Sequence, residues 1–252
     1  MGSTITTSTR RVPLEAWLAP ALLGVAGLGW WWSFVMSRGM RSMTSMSGAS
    51  MSLVAFLLAW IAMMAAMMLP AVLPVIRLYV RAASRRTVVP VPFFLAGYGV
   101  IWALTGVPAY FAWRGLEEPL AHSSPTAGRI AAGILLAAAI YQLSPLKTVC
   151  LEHCRSPLSF FMRNRRNLHR PQGAVAAGAA HGLYCVGCCW MLMAVLVAFG
   201  TMQLSWMAGL AALILIEKVT PAGERVAHFS GFAFLLLALI LLLNPTVVGR
   251  LT

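Results

Sequence analysis

Residues 174–200 read "AVAAGAAHGLYCVGCCWMLMAVLVAFG", a run without a single Asp, Glu, Lys or Arg. A run of this length exceeds the ~20 apolar residues that a helix needs to cross the hydrocarbon of a bilayer. Lipid offers the backbone no hydrogen-bond partners, so such a run has to be helical. The same run holds His181, Cys185, Cys188 and Cys189. At ~100° per residue these four fall within an arc of about 100°, so one helix face offers an imidazole and three thiols.

Outward from this stretch the chain keeps the same character. It is 60% hydrophobic and 10% charged, with mean hydropathy +0.81; soluble domains are about one-quarter charged. Apolar runs that approach a bilayer span occupy 14–36, 51–76, 91–113, 127–144, 174–200, 203–219 and 226–243. The expectation is an all-α, polytopic transmembrane helix bundle of about seven spans, forming a single transmembrane domain over 1–252. Six spans is the alternative, because the fourth, sixth and seventh runs are short. Arg10-Arg11 resembles a twin-arginine signal, but the following run is too long for a signal core and lacks a small-residue cleavage site, so it reads as a retained helix. No internal repeat and no soluble domain is visible.

The chain carries 19 basic residues against six acidic ones. All six are glutamates, and without Asp many Mg²⁺ sites and Asp-based triads lose their usual ligand or orienting group. No nucleic-acid motif accompanies the +13 charge, so nucleic acid is not an expected partner. A basic excess on short loops instead sets membrane orientation. With the N-terminus in the cytoplasm, fourteen basic residues lie inside: Arg10, Arg11, Arg77, Arg81, Arg85, Arg86, Lys147, Arg155, Arg163, Arg165, Arg166, Arg170, Lys218 and Arg225. Five lie outside: Arg38, Arg41, Arg114, Arg129 and Arg250. The expected location is therefore the inner (cytoplasmic) membrane, with the lipid bilayer as first partner and 145–173 as an inner basic loop.

Sulfur is clustered. Five cysteines make an odd number that fits no disulfide scaffold, and Cys189 stands where c-type haem attachment needs His. Cysteine also packs as a small hydrophobe, but three in five residues with a same-face His181 point to ligand or redox chemistry. In "IAMMAAMMLP" (61–70) Met63/Met67 and Met64/Met68 form two i,i+4 pairs, above Pro70 and Pro74, which free backbone carbonyls. In "CLEHC" (150–154), Cys150, His153 and Cys154 share a face near the inner surface. Outside, Met36, Met40, Met43 and Met46 punctuate a polar segment, where thioethers suit a soft reduced ion. Together these favour Cu(I), with zinc less favoured, on a ladder of ligands through the bilayer. Glu217 and Lys218 end the sixth run and read as a charge pair or proton relay, with the lysine snorkelling to the surface.

"AWIAMMAAMMLP", "YQLSPLKTVCLEHCRSPL", "HGLYCVGCCWMLM" and "LILIEKVTP" resemble the bacterial family of integral membrane proteins predicted to bind metal. The resemblance covers roughly 51–222. It implies a polytopic membrane protein with metal-site positions at Met63, Met64, Met67, Met68, Cys150, Cys154, His181, Cys185, Cys188 and Cys189. It names neither metal nor activity.

The leading expectation is a membrane protein that binds Cu(I) for transport or for delivery to a copper-protein partner, without catalysis. No nucleotide-binding loop is present to drive transport. A second reading is a membrane thiol–disulfide oxidoreductase using Cys185 and Cys188, whose Cys-x-x-Cys spacing is of redox type. A third is a non-catalytic subunit of a membrane complex.

Overall fold

The computed structural model describes residues 14–43, 51–83, 91–121, 125–156, 168, 170–199 and 203–245. The described residues form the helices α1 (Leu14–Met43), α2 (Leu53–Ala83), α3 (Val91–Ala121), α4 (Pro125–Gln142), α5 (Pro145–Arg155), α6 (Pro171–Phe199), α7 (Leu204–Val219) and α8 (Gly223–Leu243). The chain is all-α. Five helices, α1, α2, α3, α6 and α8, are long and apolar enough to cross a membrane, and α4 with α5 adds a sixth if the bent pair is one span. The expected seven is therefore too many by length. The run 203–219 does form α7, but its 16 residues rise only ~24 Å, short of the ~30 Å hydrocarbon.

Two segments expected as loops are helical. Met36, Met40 and Met43 stand on α1, which continues past its apolar run to Met43. The supposed inner loop 145–173 opens with α5. Pro145 lacks the N–H and crowds the preceding turn, so α4 cannot continue through it. Proline suits the first turn of a new helix, however, and Ser144 caps that turn by accepting from the Lys147 N–H. The result is a 65° bend between α4 and α5. Lys147, Leu151 and Cys154 share the face that α5 buries.

Lipid tails are as apolar as leucine, so helices in a bilayer associate through close packing of small residues. The most extensive contact joins α3 to α6, and glycine makes it. A Cβ at Gly178 would stand 1.9 Å from the Phe94 carbonyl oxygen, and one at Gly97 2.1 Å from that of Val175. Gly178→Ala must push these backbones apart, and overpacking of this kind costs about 1–3 kcal/mol. Gly99→Ala meets nothing within 4 Å. Thermal unfolding in detergent should therefore show a lowered Tm for the first variant and an unchanged one for the second.

The exterior is apolar, with Trp17, Leu28 and Trp31 on α1, Phe111 on α3, and Phe229 and Leu243 on α8 exposed. That surface suits lipid. Of the five long spans α6 is the most buried and α1 the least. At one end of the bundle Tyr79 donates to the Leu168 carbonyl at 2.8 Å and Arg155 donates to that of Thr220. At the other, Tyr110 donates to the Met51 carbonyl. Two of the basic residues assigned to loops, Lys147 and Lys218, are instead only 1% and 8% exposed.

Candidate metal centre

Cys185, Cys188 and Cys189 lie buried at the middle of α6. Helix α5 packs against α6 and α7, and Cys154 lies buried on the packed face of α5. Four buried thiols from two distant stretches of sequence thus share one region of the bundle. Within it Cys188 and Cys189 donate to the Cys185 carbonyl at 3.1 and 2.9 Å. The Lys218 ammonium at the end of α7 donates to Cys185 Sγ at 2.8 Å and stands 3.8 Å from Met68 Sδ on α2. Tyr98 on α3 places its hydroxyl 3.1 Å from the same Cys185 sulfur. All five cysteines are free thiols.

A second buried set of groups holds the first in place. Lys147 Nζ pairs with Glu217 Oε2 at 2.7 Å and donates to the Cys188 carbonyl at 2.5 Å. Gln142 donates to Glu217 Oε1 at 2.8 Å and to Ser230 Oγ at 2.7 Å. Charges in a bilayer are tolerated where they are paired and hydrogen-bonded. This set ties α4, α5, α6, α7 and α8 together around the thiols. Glu217 therefore takes Lys147 as its partner rather than its neighbour Lys218, because consecutive helical residues point ~100° apart. Lys218 does not snorkel to the surface; it reaches inward to sulfur.

The other residues singled out by the sequence divide clearly. His181 is buried one turn before Cys185, its ring 5.9 Å from that of Tyr98 and 6.2 Å from that of Phe94. Its Nδ1 has no hydrogen-bond partner. Met63, Met64, Met67 and Met68 are all buried, and Met68 is the one recorded beside Lys218. Met63 lines a small cavity with Met36, Trp32 and Trp60, which links α1 to the methionine run. Cys150 sits at the rim, where a Cβ on Gly187 would meet its Sγ at 2.9 Å. His153 is exposed and stacks on Tyr184 at 4.9 Å. Met46 and the side chains of Met40 and Met43 lie outside the described residues.

The sequence gives no sign that Tyr98 and Lys147 stand against Cys185 and Cys188. Tyr98 stands between Gly97 and Gly99, a pattern that reads as helix packing. Lys147 read as a loop charge because nothing in the sequence shows that α5 folds back against α6.

The donor set, thiols with an unpartnered imidazole nitrogen and a thioether, has the chemistry of a soft-metal site. Among the described residues no three His, Cys, Asp or Glu side chains already converge on one point. Two thiols are turned onto the Cys185 carbonyl instead.

The sequence model of one family, PpoB2, described as a copper chaperone, matches residues 57–241. No curated protein and no solved structure matches the chain. The matched region spans most of the protein and includes every cysteine, so the chain belongs to the PpoB2 copper chaperone family and its function is copper-related.

Proposed function

We propose that this protein binds Cu(I) within the bilayer through Cys154, Cys185, Cys188 and Cys189, with His181 and Met68 beside them, and passes the ion to a copper protein. The observation that carries this reading is the burial of Cys185, Cys188 and Cys189 at the middle of α6 beside Met68 and Lys218, with Cys154 buried on the packed face of α5. Soft thiolates, imidazole and thioether together match Cu(I) better than any hard cation. Copper here is cargo, and exchange among neighbouring sulfurs keeps it bound while it moves. Met36 and Met63, on one cavity, give it a first pair of thioethers at the methionine end. The other end, with Arg77, Arg155 and Arg225, faces the cytoplasm in this reading, by the bias of basic residues to the inner side.

Protein purified under anaerobic, reducing conditions should carry copper on elemental analysis. In copper-loaded liposomes it should bind the ion without net flux if delivery to a partner is its task, whereas flux would make it a transporter. Absence of copper from the purified protein, together with failure to take up added Cu(I), would sink the proposal.

A further inference from the structure

The Lys218 side chain touches two places. Its ammonium lies among sulfurs, 2.8 Å from Cys185 Sγ and 3.8 Å from Met68 Sδ. It also lines an open cavity of about 390 Å³ with Pro74, Glu152, Arg155, Ser156 and Val219. The cavity belongs to the end of the bundle where Arg155 meets Thr220. Lysine is a flexible four-carbon stem carrying a compact point charge. Rotation of that stem carries Nζ between the thiols and the cavity without moving α7.

The charges around it are asymmetric. Glu217 is matched by Lys147 at 2.7 Å and by Gln142 at 2.8 Å. Among the described residues no carboxylate pairs with Lys218, so a sulfur at Cys185 is its partner in the site. Glu152, exposed on α5 and lining the cavity, is a carboxylate available on the other side.

We infer that Lys218 is a tethered competitor for the copper position: its ammonium holds the sulfur site when no metal is present, Cu(I) displaces it into the cavity beside Glu152, and its return helps expel the metal. This deepens the proposed function and rests on it. At Cys185 one monovalent cation replaces another, and each further thiol that binds Cu(I) as a thiolate releases its proton to solvent. The cavity is then the exit through which an acceptor thiol reaches copper as the ammonium comes back.

A counter-ion that merely steadies the metal would behave in the opposite way, and the two roles separate in one variant. Lys218→Leu in the full-length protein removes the competitor while filling the space with an apolar side chain that carries no metal ligand. Affinity for Cu(I), titrated against bathocuproine disulfonate, is expected to rise severalfold, and release to the chelator to slow. A fall in affinity overturns the inference and leaves copper binding itself intact. Where the variant fails to fold, amine labelling of the wild-type protein decides. Lys218 should label severalfold faster with Cu(I) or Ag(I) bound than without. Equal labelling with metal bound overturns the inference, and no metal binding by the wild type overturns the copper-site reading beneath it.

Discussion

The variant Cys185→Ser, Cys188→Ser, Cys189→Ser is expected to lose its copper while keeping its fold. Serine hydroxyls are hard, and they do not ionise near neutral pH, so they cannot replace thiolates for a soft ion. Loss of supporting groups around metal ligands lowers affinity by about 10–100-fold, and loss of the ligands themselves should exceed that range. The fold should survive for a reason visible in the structure. Two of the three thiols already donate to the carbonyl of residue 185, and serine makes the same back-bonds one helical turn away. Copper per protein chain after anaerobic purification, measured with the helical signal in circular dichroism, reports both properties at once. His153→Ala serves as the comparison: its ring is exposed and stacks on Tyr184 at 4.9 Å, so copper content should be unchanged. A triple variant that retains wild-type copper would remove these thiols from the site altogether.

What the sequence made legible follows from the kind of signal each residue carries. Helical spans are written in long apolar runs, since lipid permits little else, and all seven runs became helices. The i,i+4 and i,i+3 spacings likewise put Cys185, Cys188 and Cys189 with His181 on one face, because helix periodicity is a local property. Contacts between distant segments left no such trace. That the helix of Cys154 packs on the helix of Cys185 depends on the bend at Pro145. The lysines were misread for a related reason. A basic residue at the end of an apolar run looks like a loop charge, and only the tertiary structure shows Lys147 on Glu217 and Lys218 on Cys185. Polar residues at 36–43 and 145–155 signal helix ends in the sequence, yet the helix continues at the first and restarts at the second.

The ion pair between Lys147 and Glu217 yields the largest expected effect on stability. Its side chains are 1% and 2% exposed and 2.7 Å apart. Lys147→Leu leaves the Glu217 carboxylate with Gln142 alone, and Glu217→Gln leaves the Lys147 ammonium with the Cys188 carbonyl and a neutral amide. Breaking a buried pair by removing one partner costs about 3–5 kcal/mol, because the remaining charge is neither solvated nor matched. The double variant Lys147→Leu, Glu217→Gln removes both charges without adding a metal ligand, and its glutamine still has Gln142 beside it for a hydrogen bond. It should therefore recover most of the loss, and thermal unfolding of the three variants in detergent measures the difference directly. The pair is shielded from mobile ions, so the losses should be similar at low and high salt, unlike those of a surface pair. Equal destabilisation in the single and double variants would mean that packing around α5, rather than charge matching, is what these residues supply. Copper affinity then locates the pair in the mechanism. If the double variant folds and binds copper as the wild type does, the pair serves to hold α5 and its Cys154 against α6. If it folds but binds weakly, the Lys147 contact to the Cys188 carbonyl is what orients that cysteine toward the metal.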